Sequence, residues 1–380
     1  MRARRYDVDW LRAFAMLVVF YFHSARFFDD GWWHLKNAQL SFGLIVFTTF
    51  VNVWMMPLFF LISGFGSRFS LESRTGAQYV VERLKRLLVP LVFGTLVIIP
   101  PQVYLERISK SQFHGSYWQF YPRFFHGVYP TGNFSWHHLW FLAYLFVFSL
   151  IALPLFLRLR RDEAGPFVSR LAALSQAKGG LFLLVVPAIP LFVIAAALGP
   201  LFPGLQNLVN DWANFLFSIT LFIYGYLLAS DVGFSAAIQK HWKKALGGAL
   251  VLTAVLGYVL STYGDQRGYS LGHIVFSAGR ALDTWLWLVA ILGLGQRFLS
   301  FTNRAQAYVN EAVLPFYVTH QTVIIIIGFF VIQWHVGVAA KYLVISTTAF
   351  CANVLVYATL VRPWNPTRFL FGMRAKGRRQ

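Results

Sequence analysis

Gly43-Leu44-Ile45-Val46-Phe47-Thr48-Thr49-Phe50-Val51-Asn52-Val53-Trp54-Met55-Met56-Pro57-Leu58-Phe59-Phe60-Leu61-Ile62-Ser63-Gly64-Phe65 carries no charged side chain over 23 residues. A helix of about 20 apolar residues spans the hydrocarbon core of a bilayer, so this stretch reads as a membrane span. Working outward, similar runs lie near 9–27, 87–105, 139–157, 181–200, 212–230, 245–262, 281–299, 312–333 and 341–361. The expectation is an all-α polytopic membrane protein of about ten transmembrane helices. It is a single domain over 1–380, with a helical bundle at 9–361 and a basic tail at 362–380. The fifth run is interrupted by Pro187, Pro190 and Pro200, tolerable where neighbours satisfy the carbonyls that proline frees.

The composition agrees: only 12% of residues are charged, 57% are hydrophobic and mean hydropathy is +0.57, against roughly 25% charged in soluble domains. The net charge of +19 does not point to nucleic acid, because its Lys and Arg fall between apolar runs rather than along one face. Alternate connections and both tails hold 24 of the 33 Lys and Arg, and the opposite connections 8. This bias puts both termini in the cytoplasm. Arg2, Arg4 and Arg5 resemble the start of a signal peptide, but Arg12 interrupts the apolar stretch and no small-residue cleavage site follows. An uncleaved first span is expected. Cys351 stands alone in an apolar run and is expected to be an inert packing residue.

Ionisable residues inside spans mark function by default. Arg12 and His23 are 11 residues apart in the first helix, which leaves only about 20° between their directions and a rise of about 16 Å. They share a face, with Arg12 near the cytoplasmic end and His23 more than halfway across. Arg12 reads as a snorkelling cation or a site residue; His23 as a structural histidine or a base. His320 lies about 12 Å into the ninth helix, followed by Gln321, with Glu311 at the helix mouth. It reads equally as a site residue or a brace. Arg280 and Asp283 have the spacing of an i,i+3 pair. At the inner face, Arg83-Leu84-Lys85-Arg86 suits anionic headgroups or the phosphates of a nucleotide-like donor. Ser63, Gly64 and Gly66 permit close backbone approach, for packing or for a ligand. The long outer connection, about 106–138, is rich in Tyr, Trp and His; it reads as an interfacial belt or as a sugar-contacting lid. No P-loop, GxGxxG, HExxH or CxxC occurs, and adjacent His137-His138 cannot share one metal as an i,i+4 pair would. No metal is expected.

Tyr6-Asp7-Val8-Asp9-Trp10-Leu11-Arg12, followed after ten intervening residues by His23-Ser24, resembles the opening of the membrane-bound acyltransferase family 3. Phe59–Gly66 is similar to its FFxISG segment, Arg83-x-x-Arg86 to its RxxR motif, and His138-Leu139-Trp140-Phe141-Leu142 to its HLWFL segment. Phe316-Tyr317-Val318-Thr319-His320 is similar to its late Y-x-x-H segment. The HLWFL segment and the length look most like members that succinylate periplasmic glucans. Others carry a serine-tryptophan and glutamate pattern where Ser135-Trp136 is here followed by histidines. The resemblance implies a transfer from cytosolic acyl-CoA, acetyl-CoA or succinyl-CoA, to a hydroxyl of an extracytoplasmic carbohydrate, in a bacterial inner membrane. His23, Arg12 and His320 become the catalytic candidates. Arg83, Arg86, Arg12, Ser63 and Gly64 are the donor-site candidates, and His138, Trp140 and Trp136 the acceptor-site candidates. Membrane lipids are the other expected partners. A transporter or flippase for a glycan or acyl donor is the alternative, with buried histidines relaying protons.

Overall fold

The computed structural model describes residues 5–161, 165–202, 204–264 and 268–376. Arg2, Arg4, Arg378 and Arg379 of the two basic tails lie outside these residues. Among the described residues, nine helices are long and apolar enough to cross a membrane: Tyr6–Ala25, Phe42–Glu72, Gly76–Ser109, Leu181–Leu198, Trp212–Ser230, Val232–Tyr263, Leu271–Phe298, Arg304–Val331 and Val338–Val361. A tenth is the pair His137–Ile151 and Leu153–Leu159, bent by 52° just before Pro154. Each coincides with one apolar run of the sequence, so the chain is an all-α polytopic membrane protein. The long connection after the third span begins later than the hydropathy suggests, because that span continues to Ser109 and takes in Glu106. The spans are numbered here in chain order.

The chain divides into two compact units. One comprises Met1–Ala15, Asn52–Val80 and Val147–Gln306; the other comprises Met16–Val51, Val81–Phe146 and Ala307–Gln380.

Proline shapes both units, because it removes one amide donor and frees the carbonyl four residues earlier. In the first unit, Pro57 frees the carbonyl of Val53, which accepts from Thr284 Oγ1 at 2.9 Å. Pro187 breaks the fifth span into Leu181–Leu184 and Ala188–Leu198, and its freed partner, the Leu183 carbonyl, accepts from the Trp285 indole at 2.7 Å. Such repairs are what permit proline at membrane depth. The second and sixth spans cross where a Cβ on Gly64 would meet the Phe222 carbonyl at 2.1 Å, and one on Gly225 the Leu61 carbonyl at 1.8 Å. No side chain fits between the two backbones.

In the second unit the third span changes pitch twice. Leu84–Leu88 and Gly94–Ile98 are π-helical, and their closing bonds run from Val89 to Leu84 and from Ile99 to Gly94. Each closing residue immediately precedes a proline, Pro90 or Pro100. The wider turn carries the chain past the missing donor. The Leu96 carbonyl, freed by Pro100, accepts from the Tyr121 hydroxyl at 3.1 Å. The Ile98 carbonyl accepts from Thr322 Oγ1 at 2.8 Å.

The connection after the third span folds around its own aromatic cluster. Tyr104, Phe113, Tyr117 and Phe120 meet with ring centroids 5.4–6.3 Å apart, and Phe124 packs on Phe134 at 5.6 Å. Arg107 closes the loop through Asn133 Oδ1, Gln112 Oε1 and the carbonyls of Pro130 and Gly132. Most of the loop's aromatic residues therefore form a small core of their own, while Trp118 is 79% exposed. Cys351, expected in packing, is exposed on the tenth span.

Candidate active site

Five histidines of the second unit gather: His23 in the last turn of the first span, His34 in the turn after it, His137 and His138 at the start of the fourth span, and His320 in the middle of the ninth. The turn after the first span is stapled by Asp29, wholly buried between the Arg26 guanidinium and Lys36 Nζ at 2.7 Å. Lys36 Nζ also donates to the carbonyls of Arg26 and Asp29, and burial lowers its pKa against the pull of the Asp29 carboxylate. Arg26 lies against Gly31, where a Cβ would meet its guanidinium at 2.4 Å. This staple presents Trp33 and His34 inward. The His23 imidazole is sandwiched between Trp33, at 5.3 Å and 22°, and His320, at 5.0 Å and 18°.

The hydrogen bonds define the tautomers. His320 Nδ1 lies 2.6 Å from the Tyr317 carbonyl, which only accepts, so Nδ1 carries the hydrogen. In neutral His320 the lone pair is then on Nε2, which lies 2.8 Å from His23 Nδ1. His23 Nδ1 must donate, and the lone pair of His23 falls on Nε2. Among the described residues that atom makes no hydrogen bond.

A second chain of bonds runs beside the first. His138 Nε2 donates to the Val318 carbonyl at 3.1 Å and its Nδ1 accepts from Gln102 Nε2 at 3.4 Å. Gln102 Nε2 also donates to Thr322 Oγ1 at 2.6 Å, and Gln102 Oε1 accepts from Gln321 Nε2 at 2.9 Å. Gln321 donates onward to His34 Nε2 at 3.3 Å, so His34 Nδ1 donates to Glu106 Oε2 at 2.6 Å. Glu106, 0% exposed, ends the chain by accepting from Lys110 Nζ at 2.7 Å and the Tyr129 hydroxyl at 2.9 Å. Burial, and then the Glu106 carboxylate, raise the Tyr129 phenol pKa well above its ordinary value. The Tyr317 hydroxyl donates to the His138 carbonyl. Within this cluster, two buried polar atoms of the described residues make no hydrogen bond, Trp33 Nε1 and His137 Nε2. His137 also holds a left-handed backbone, φ 38°, of the kind stored at functional sites.

Of the residues singled out in the sequence, His23, His320 and His138 come together. Arg12 instead pairs with Asp9 one turn earlier on the same helix, at 3.1 Å. Arg83 and Arg86 flank Glu82, at 3.7 and 3.6 Å, and Arg86 reaches the Gly372 carbonyl. The π-helical turn beginning at Leu84 follows directly on Arg83. Ser63 bonds back to the Phe59 carbonyl, and Gly64 is consumed by the crossing with Gly225. Trp140 packs edge-on against Tyr144 of its own helix, and Trp136 sits at the turn that opens it. Asp283 accepts from Thr253 Oγ1 at 3.1 Å, a partner its spacing from Arg280 does not reveal. Among the described residues, no group of three or more His, Cys, Asp or Glu side chains could hold a metal ion.

The family model for the acyltransferase domain (Acyl_transf_3) matches residues 5–362. The chain belongs to that family. This acyltransferase is similar to the glucans biosynthesis protein C of Salmonella heidelberg (strain SL476), 26% identical over 344 residues, 86% of this chain and 84% of the relative. It is also similar to the protein of the same name from Escherichia coli O6:K15:H31 (strain 536 / UPEC), 24% identical over 336 residues with the same coverage. The histidines at issue all lie within the matched region.

Trp33, His34, Gln102 and Glu106 of the acyltransferase escaped the sequence reading, whereas Tyr129 belongs to the aromatic-rich connection singled out there. One signal was available: Glu106 is a carboxylate one residue beyond an apolar run, where the polar cost of burial demands partners.

Proposed function

We propose that this membrane acyltransferase moves an acyl group, acetyl or succinyl, from cytosolic acyl-CoA to a hydroxyl of an extracytoplasmic glycan. Both termini are cytoplasmic on this reading, the membrane is the bacterial inner membrane, and the name of the relatives makes a glucan the acceptor of choice. The observation that carries the chemistry is the chain from His23 Nδ1 to His320 Nε2 and from His320 Nδ1 to the Tyr317 carbonyl. It leaves a basic lone pair on His23 Nε2.

His23 Nε2 takes the proton of the acceptor hydroxyl as its oxygen attacks the thioester carbonyl carbon. The carbon–sulfur bond then breaks, and the proton passes from His23 to the departing thiolate, so no net proton is consumed. Neutral imidazole suits the first half of this cycle near pH 7, and the imidazolium it becomes supplies the proton in the second. His320 acts through His23 as a positioning residue. Arg83 and Arg86 hold the donor's phosphates by charge-assisted bonds. His138, Trp136 and Trp140 border the acceptor side.

The test is transfer of radiolabel from [14C]acetyl-CoA or [14C]succinyl-CoA to a glucan oligosaccharide by the purified protein in detergent. His23→Ala should abolish the ester product while the protein remains folded. Full activity in that variant removes the assignment. A transporter would require sealed vesicles and leave no ester. Mass spectrometry of the glycans of a deletion strain names donor and acceptor together.

A further inference from the structure

Acyl transfer needs more than a base. As the hydroxyl attacks, the thioester carbonyl oxygen becomes an oxyanion, and a preorganised donor aimed at it is commonly the largest single contribution to the rate. In the histidine cluster nearly every side-chain donor is already committed. Both hydrogens of Gln102 Nε2 are used, on His138 and Thr322. Both of Gln321 Nε2 are used, on His34 and Gln102. Thr322 donates to the Ile98 carbonyl, Tyr317 to the His138 carbonyl, and His34, His138 and His320 to Glu106, Val318 and Tyr317. Two buried atoms are left without partners, Trp33 Nε1 and His137 Nε2.

These two differ in a way that decides between them. The indole nitrogen carries a hydrogen in every state and can only donate, whereas an imidazole nitrogen is donor or acceptor according to its tautomer. Trp33 is also the one stacked on the His23 ring, 5.3 Å away and 22° from parallel. It is 8% exposed and wedged edge-on against His34 at 5.2 Å and Phe27 at 6.2 Å. Its ring is therefore fixed before substrate arrives. A buried donor left without a partner in the resting protein is costly and calls for an explanation. A ligand oxygen present only during turnover supplies one.

We propose that the Trp33 indole N–H donates to the thioester carbonyl oxygen of the acyl donor and holds it as the oxyanion forms. The inference rests on the acyl-transfer reading above. His23 and Trp33, in neighbouring near-parallel planes, then address the two ends of the reacting centre. His23 Nε2 takes the hydroxyl proton, and the indole N–H receives the charge that appears on the carbonyl oxygen. When the carbonyl re-forms and the carbon–sulfur bond breaks, the indole keeps its hydrogen and nothing is consumed.

The test is Trp33→Phe, which keeps an aromatic ring against His23 and deletes only the N–H function and part of the ring. Transfer from [14C]acetyl-CoA or [14C]succinyl-CoA to a glucan oligosaccharide is measured beside wild type and His23→Ala. The expected result is a fall in kcat of about 100-fold or more, the usual effect of removing one oxyanion donor. KM for the acyl-CoA should stay within threefold, since the bond strengthens only as charge develops. A kcat within threefold of wild type in folded protein, or a loss confined to KM, overturns the proposal. If Trp33→Phe fails to fold, 3-benzothienylalanine incorporated at position 33 keeps both rings and replaces the N–H with sulfur; the same two outcomes then decide. Retained activity in His23→Ala would bring down the acyl-transfer chemistry assigned to this site. Inactive His23→Ala beside fully active Trp33→Phe would bring down the indole donor alone.

Discussion

Replacing His320 by leucine tests the tautomer relay directly. In the resting protein the 2.8 Å bond from His23 Nδ1 to His320 Nε2 joins two neutral rings, a contact worth about 0.5–1.5 kcal/mol net. Once His23 takes the hydroxyl proton the same bond becomes charge-assisted, worth about 1.5–3 kcal/mol. The difference, about 1–2 kcal/mol, exists only on the way to the transition state and so falls on kcat. At about 1.36 kcal/mol per decade this is roughly 5–30-fold. Leucine also releases the tautomer, so about half of the neutral His23 population would carry its hydrogen on Nε2 and be unable to accept a proton. His320→Leu should therefore lower kcat by roughly 10–60-fold with KM nearly unchanged. His320→Gln offers an amide oxygen that accepts from Nδ1 and should recover most of the loss. The assay is steady-state acyl transfer by detergent-purified protein whose elution on size exclusion matches wild type. The relay is wrong if His320→Leu keeps kcat within twofold, or if folded His320→Gln does no better than leucine.

Three further outcomes follow from the packing and charge. Glu106→Gln places an amide N–H₂ where the buried carboxylate accepts from His34, Lys110 and Tyr129. Losing a hydrogen bond to a buried charged group costs about 1.5–3 kcal/mol, and Lys110, 39% exposed, adds little to it. A loss of about 3 kcal/mol is expected in denaturation monitored in detergent; a change below about 0.5 kcal/mol, the range of ordinary surface substitutions, would show that the network is not load-sharing. Gly225→Ala sets a Cβ 1.8 Å from the Leu61 carbonyl oxygen, so stability should fall by about 3 kcal/mol or more, the upper end for overpacking. A thermal midpoint equal to wild type would show that the crossing can spread without cost. Arg86→Ala should raise KM for acyl-CoA about 10–100-fold through loss of a charge-assisted contact while kcat holds within threefold. An unchanged KM would remove Arg86 from the donor site.

The spans and their order were legible in the sequence because membrane helices are selected one at a time by length and hydropathy. Even the broken fifth span shows as Pro187 and Pro190 within an apolar run. The first helix also displayed His23, since a titratable group between Val18 and Ala25 stands out against its neighbours. The pairing of His23 with His320 was not legible, because the two are 297 residues apart and no local pattern records which parts of two helices meet. His34 and Trp33 were hidden for a different reason. They lie in a polar turn, where histidine and tryptophan look ordinary until the Asp29 staple turns them inward.

Composition and periodicity by themselves determined that this chain dissolves in a bilayer, how many times its apolar runs recur, and which ionisable groups stand among them. Those are local quantities, set by the transfer cost of each successive segment. Only the tertiary structure decided which nitrogen of His23 bears the lone pair and that a tryptophan lies against its face. Tautomer and donor supply depend on acceptor-only carbonyls and on rings brought together from distant parts of the sequence.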